Sequence, residues 1–151
     1  LDQFAMQAAY APRMSINHFW DPEATRIVFT SPWPELTLVT NDASRQDIAD
    51  ADLLARVTAS SKPIARYLSM TAQPGYPLWD ETATAVWLDP SIVTREVRLA
   101  MDVDLMPGAS YGALLTWAPG KGPHLGERDV RVVLGVDTAK VRASFVDLLT
   151  R

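Results

Sequence analysis

The residue types that could do chemistry here are few. The 151 residues contain no cysteine, which excludes disulfides, thiolate metal sites and cysteine nucleophiles. The two histidines, His18 and His124, are far apart. Neither pairs with a nucleophilic serine or has the spacing of a metal-ligand set. His18 reads as structural and His124 as part of a Gly/Pro-rich loop. Gly120-Lys121-Gly122 lacks the upstream glycine spacing and the following Ser/Thr of a phosphate-binding loop, so it reads as a turn. Asp80 stands after a Pro-Gly breaker and beside Trp79. On local pattern it is a helix N-cap, a role worth about 1 kcal/mol. Asn17, on the same grounds, is a turn residue satisfying nearby backbone.

The elements that would carry these residues can be read from the pattern. Gln7 to Arg13 reads as a loop, with Pro12 disfavouring a helix before it, and residues 1–20 show no clear period. Asp21-Pro22-Glu23 opens a helix: a cap, a proline suited to the first position, and an acid at the positive end. Ala24, Ile27 and Val28 are its expected buried face, and Ser31-Pro32-Trp33-Pro34 stops it. Leu36 to Thr40 is an expected buried strand, followed by a polar joint at 41–44. Helices are expected over 47–59 and 63–72, then a breaker at Gln73-Pro74-Gly75-Tyr76-Pro77, then a helix from Asp80 to Leu88. Residues 95–105 partly alternate, with Val97, Leu99, Met101, Val103 and Leu105 on one side. Strands are also expected over 111–117 and 130–136. A capped helix over 137–149 closes the chain. Trp20, Trp33, Trp87 and Trp117 are assigned to core or loop packing.

Strands mixed with helices give an α/β class with a late antiparallel portion, in one domain spanning 1–151. Apolar residues make up 48% and charged residues 21%, ordinary for a globular protein. The net charge of −4 argues against a nucleic-acid backbone as main partner. No apolar run reaches membrane-spanning length. The compartment is left open.

Two segments carry a resemblance. One is Asn17-His18-Phe19-Trp20-Asp21-Pro22-Glu23-Ala24-Thr25-Arg26-Ile27-Val28-Phe29. The other, about sixty residues later, is Pro77-Leu78-Trp79-Asp80-Glu81-Thr82-Ala83-Thr84-Ala85-Val86-Trp87-Leu88-Asp89-Pro90. In order, spacing and helix context the pair resembles the C-terminal half of the inosine-uridine preferring nucleoside hydrolases. The resemblance implies an open mixed sheet flanked by helices, the N-terminal aspartate-rich half lying outside this chain. It also implies hydrolysis of the N-glycosidic bond of ribonucleosides to ribose and free base, assisted by Ca2+, a hard cation that prefers oxygen ligands.

By that resemblance Asp80 is a metal ligand, Asn17 binds the ribose, and Trp79 stacks on the leaving base. Many members carry His at the position of Trp79, and the purine-preferring branch carries Trp-Asp, so a purine nucleoside is the implied substrate. Many members also carry Glu where Ser15 stands, which puts the contact to the ribose 5′-hydroxyl in doubt. Asp102 and Asp104 superficially resemble the family's early aspartate loop, but Ala109 and Ser110 follow where further aspartates would be needed. They are read as outward-facing strand residues. The chain alone is expected to be inactive, and to associate with itself or with the other half because half a sheet leaves an open strand edge. The rival class is a non-catalytic hydrolase-like module for binding or assembly. A plain α/β domain with chance motif matches is the third.

Overall fold

Asp21 starts a helix in the way its sequence requires. In the computed structural model, which describes residues 15–151, its carboxylate accepts the Ala24 amide at 2.9 Å. The loop expected over 7–13 lies outside the described residues. In chain order the elements are α1 (Ile16–Trp20), α2 (Pro22–Thr30), β1 (Thr37–Val39), α3 (Asn41–Ser44), β2 (Ile48–Ala49), α4 (Ala51–Thr58), α5 (Pro63–Thr71), β3 (Tyr76–Pro77), α6 (Trp79–Leu88), a 3-10 turn (Pro90–Ile92), β4 (Val93–Val103), β5 (Leu114–Trp117), β6 (Arg128–Val136) and α7 (Thr138–Thr150). One open sheet has the order β1-β6-β4-β5, and β2 and β3 form a second, two-stranded one. The α/β class follows, with helices flanking the open sheet. No helix among the described residues is long and apolar enough to cross a membrane.

The contacts divide the chain into two units: residues up to Leu38 with Val97–Val132, and Val39–Glu96 with Val133–Arg151. In the first unit, α2 stops where expected. The Ser31 hydroxyl donates to the Ile27 carbonyl at 2.6 Å and the Trp33 indole N–H to the Val28 carbonyl at 3.0 Å, satisfying acceptors at the helix end. Its buried face differs from the expected one. Pro22 and Phe29 are buried, whereas Ala24, Ile27 and Val28 are exposed. The inward stripe runs 22, 25/26, 29, and Ile27 lies off it. The ordered antiparallel portion is β4 with β5, in register Ala100↔Trp117 to Val103↔Leu114. The strand reading of 95–105 holds in position but not in alternation, because Ala100, Met101, Asp102 and Val103 are all buried in succession. A strand covered on both faces has no polar side to show.

Asp102 is therefore not outward-facing. It is 3% exposed and pairs with Arg26 of α2 at 3.1 Å. Asp104 lies beyond the strand, where it accepts the Ser110 hydroxyl at 2.5 Å and the Met106 amide at 2.9 Å. Those two donors hold its carboxyl below the usual carboxylate range. Gly112 (φ +82°) lies in the turn before β5. A Cβ there would come within 3.2 Å of the Phe19 Cα and the Pro22 ring, so glycine permits the α1–α2 junction to approach this closely.

The second unit has a core of Ala43, Ala49, Leu53, Leu78, Ala85, Val86, Ile92, Val133, Val136 and Val141. The helix expected from residue 47 begins at Ala51 instead. Asp50 caps it by accepting the Leu53 amide at 2.8 Å, and the preceding Ile48–Ala49 pairs antiparallel with Tyr76–Pro77. The breaker at 73–77 thus supplies a strand as well as a turn. The polar joint at 41–44 is a short helix capped by Thr40, and β1 is only half-buried rather than buried. The last helix is capped by Asp137 as expected. Three tryptophans assigned to packing are exposed: Trp20 is 72%, Trp33 52% and Trp87 79% exposed.

Residues Ile27 and Phe29 on one helix give a direct check. Phe29→Ala should cost about 3–5 kcal/mol, and Ile27→Ala should stay within about 0.5 kcal/mol. Urea denaturation followed by circular dichroism reads both, and equal losses would contradict this helix face.

Candidate functional site

Asp80 and Trp79 open α6 in the second unit. The helix begins one residue earlier than the sequence suggests. Its N-cap is Leu78, with no side-chain cap, so Asp80 is the second helical residue and not the capping group. Its carboxylate is exposed and has no hydrogen-bond or ion-pair partner among the described residues. A carboxylate in a first helical turn is favoured by the helix dipole, but the capping role that local pattern assigned to it is not what the structure uses.

The start of α6 is held from several sides. The Leu78 amide donates to the Asp47 carbonyl at 3.2 Å. The Ser44 hydroxyl reaches the Trp79 carbonyl at 3.4 Å, and the buried Thr82 hydroxyl donates back to the Leu78 carbonyl at 2.5 Å. The half-buried Trp79 ring has the Arg45 guanidinium 5.6 Å from its centroid, within cation–π range.

Asp47 is the connector behind this segment. It is buried, and Arg142 of α7 donates to its Oδ1 at 2.7 Å, to Asp50 Oδ2 at 2.8 Å and to the Ile48 carbonyl at 2.7 Å. The second carboxylate oxygen of Asp47 is buried without a partner among the described residues. The Leu53 amide, and then Arg142, hold the Asp50 carboxyl below the usual range. The Asp47 and Asp50 bonds push the Arg142 guanidinium up.

Ser15 and Asn17 belong to the first unit. Ser15 is the N-cap of α1 but caps with no side-chain bond; its carbonyl accepts the His18 and Phe19 amides at 3.1 and 3.0 Å. Asn17 is exposed, and its amide has no partner among the described residues. It sits in a helix rather than the turn that local pattern suggested. His18 is buried against the Phe29 ring, centroids 5.8 Å apart, and burial lowers its pKa. It is a neutral packing group, as the sequence suggests. An open groove of about 640 Å³ in this unit is lined by residues including Phe29, Trp33, Glu35, Arg98, His124 and Glu127. It contains none of the four candidate residues.

The structure thus keeps Trp79 and Asp80 adjacent on one helix and places Ser15 and Asn17 on another, in the other unit. Arg45 and the Asp47–Arg142 contact were not found by sequence reasoning. Arg45 lies in a joint read only as polar, and Asp47 and Arg142 are 95 residues apart, so no local signal links them. No group of three or more His, Asp or Glu side chains that could hold a metal occurs among the described residues. Asp80 fits Ca2+ in donor chemistry, as one hard oxygen ligand of the six to eight such an ion takes.

The fold is that of the nucleoside hydrolases. The structure superimposes on a plant nucleoside hydrolase with a TM-score of 0.78 at 23% identity, covering 92% of this chain and 48% of that one. It superimposes on a purine-preferring ribonucleoside hydrolase from Gardnerella vaginalis with a TM-score of 0.72 at 21% identity, covering 91% and 46%. In sequence it is 30% identical over 116 residues to the pyrimidine-specific ribonucleoside hydrolase of Escherichia coli, covering 68% of this chain and 36% of that protein. A counterpart named for Shigella boydii gives the same identity and covers 47% of its length. The chain therefore spans between about a third and a half of the curated relatives it matches. The profile of the inosine-uridine preferring nucleoside hydrolases matches residues 6–143. The chain belongs to that family.

Arg142→Met leaves the buried Asp47 carboxylate uncompensated and should cost about 3 kcal/mol at neutral pH. The Asp50 carboxyl has a lowered folded pKa. Its contribution is therefore complete above the ordinary carboxylate range and is lost as pH falls through the lowered value. The gap between wild type and variant should accordingly narrow as pH falls through and below the ordinary carboxylate range. A gap in denaturation midpoint that stays constant across that window would remove the ion pair from the account.

Proposed function

We propose that the protein to which this chain contributes hydrolyses the N-glycosidic bond of ribonucleosides, giving ribose and free base, with Ca2+ as cofactor and purine nucleosides as preferred substrates. The observation that carries this reading is the family match over residues 6–143, which contains both motif segments in their order. Within it, Asp80 offers an exposed carboxylate with no partner among the described residues, the state a ligand oxygen needs before a metal arrives.

Each residue has a role that its chemistry allows. Asp80 supplies one hard oxygen to the metal. The indole of Trp79 stacks on the leaving base, where contact with an aromatic face makes departure easier. Asn17 directs its amide to the ribose, for which it can both donate and accept. Ser15 stands where many members have Glu and is too short and neutral to give a charge-assisted bond, so the 5′-hydroxyl is held weakly or from elsewhere. Calcium, when bound, supplies a Lewis acid that acidifies water and orients the sugar hydroxyls. The general base and the remaining metal ligands come from residues outside this chain, and the chain alone does not turn over nucleoside.

Purine preference rests on Trp79. The relatives do not decide it: one is named pyrimidine-specific and another purine-preferring. Assembly belongs to the same proposal. Strands β1 and β5 are the outer strands of the open sheet among the described residues, and open edges invite pairing. The chain by itself should therefore associate with another copy or with the rest of the fold. A monodisperse monomer in small-angle scattering would count against that.

Two substitutions in the full-length protein test the site. Asp80→Asn should weaken calcium binding, read by calorimetry, by at least the roughly 10- to 100-fold that loss of an outer-shell partner costs, and turnover should fall with it. Retained turnover would sink the metal assignment. Trp79→Ala should lower kcat/KM for inosine by about 10- to 100-fold, the scale of losing one base–aromatic stack, while calcium affinity holds. If the intact protein binds calcium yet cleaves no nucleoside, a non-catalytic hydrolase-like module is the better description.

A further inference from the structure

We propose that the turn between β4 and β5 positions Asn17 for the ribose, with Gly112 and Tyr111 as the positioning residues; this rests on the ribose role given to Asn17 above. Asn17 stands on α1, a helix of five residues whose N-cap makes no side-chain bond. A helix that short does not hold itself in water, so its place is set by what it packs against. From one side His18 is buried against the Phe29 ring, centroids 5.8 Å apart. From another the turn closes on the backbone. Gly112 is buried, and a Cβ there would lie 3.2 Å from the Phe19 Cα and 3.4 Å from the His18 carbonyl oxygen. These are main-chain atoms of the two residues that follow Asn17, and they cannot swing aside as the end of a side chain can.

The turn is tied within itself and to the neighbouring helix. The Gly112 amide donates to the Asp104 carbonyl and the Ala113 amide to the Ser110 carbonyl, both at 2.8 Å. The Asp104 carboxylate accepts the Met106 amide and the Ser110 hydroxyl. The Tyr111 phenol donates to the Glu23 carboxylate of α2, 2.6 and 2.7 Å from its two oxygens, and that bond raises the phenol's pKa and keeps it a donor. At the end of β4 the buried Asp102 pairs with Arg26 of the same helix at 3.1 Å. Side chains thus hold the hairpin to α2, while the approach to α1 is one of backbone that glycine alone lets in. A hydrogen bond weakens steeply once its distance or angle departs from the preferred range. A larger residue at 112 displaces the main chain that carries Asn17, and with it the bond of the Asn17 amide to a ribose hydroxyl.

The test is a double-mutant cycle in the full-length protein, reading kcat/KM for inosine in Gly112→Ala, Asn17→Ala and the two together, with calcium affinity by calorimetry. Gly112→Ala should lower kcat/KM about three- to tenfold, the scale of one neutral hydrogen bond. Once Asn17 is replaced, the same change should have no more than about a 1.5-fold effect, since coupled residues are not additive. Calcium affinity should be unchanged. Tyr111→Phe goes through the same cycle as the milder variant, because it keeps the glycine and removes only the phenol bond. It should lose about two- to threefold, again only where Asn17 is present. Glu23→Gln, which leaves the phenol an acceptor, should lose less than Tyr111→Phe. Alanine at 112 is strained by the backbone angle (φ +82°); if that variant does not fold, the Tyr111 cycle decides alone. A loss of the same factor with and without Asn17, or no loss in Gly112→Ala and Tyr111→Phe, would overturn the positioning role and leave the hydrolase reading intact. Asn17→Ala at wild-type kcat/KM would overturn the ribose role and the positioning role together. A wild-type protein that cleaves no inosine would overturn the hydrolase reading itself.

Discussion

A single guanidinium orders the part of the chain on which the candidate residues Trp79 and Asp80 depend. Arg142 reaches from α7 to the Asp47 carboxylate, the Asp50 carboxylate and the Ile48 carbonyl. These acceptors lie in the short stretch that leaves α3, forms β2 and caps α4. Asp47 then passes the constraint on, because its main-chain carbonyl receives the Leu78 amide one residue before α6. Burying a carboxylate is costly unless it is paired, so the surrounding core tolerates Asp47 only with Arg142 in place. Oδ2 has no partner among the described residues, which makes that dependence sharper, since Arg142 holds the other oxygen. Asp80 and Trp79 inherit their positions from a contact they do not touch.

How much of this was legible depended on the range over which each signal acts. The α2 start at Asp21, the α5 start at Pro63 and the α7 start at Asp137 were readable because caps and prolines act within three or four residues. The start of α4 was misplaced because Asp47 and Asp50 are both acceptable caps by type. What chose Asp50 was the pairing of Ile48–Ala49 with Tyr76–Pro77, which only the tertiary structure specifies. The outward assignment of Asp102 failed for the same reason. Alternation predicts a wet face, but Arg26 covers that carboxylate from a helix 76 positions earlier in sequence, at 3.1 Å. The face of α2 was misread because Ile27 and Val28 are strongly apolar and Pro22 is not. Burial followed the stripe through Phe29 instead.

Family membership was legible at longer range, through two ordered segments, because motif order survives where individual contacts cannot be read. The roles of Asp80 and Asn17 came from that resemblance alone. On local pattern each had an ordinary structural alternative, a cap for Asp80 and a turn for Asn17. The structure uses neither alternative: Leu78 occupies the cap position and Asn17 lies within α1. Removing a structural explanation leaves these polar side chains exposed and without a partner among the described residues, which is the expected condition of groups reserved for a ligand. That is why their roles rest on measurements of calcium affinity and turnover.

The comparison structures separate what the backbone determines from what it does not. Two chains at 23% and 21% identity share this fold with TM-scores of 0.78 and 0.72. A protein named pyrimidine-specific and another named purine-preferring are both among the relatives. A shared family therefore does not choose between bases; that choice lies with side chains placed on the fold. A hydrophobic or stacking surface discriminates weakly on its own, since overlap area changes binding by only about 1–3 kcal/mol. In this chain main-chain and hydroxyl bonds fix the first turn of α6, on which Trp79 stands. A tryptophan at this position is therefore an incomplete specificity signal by itself.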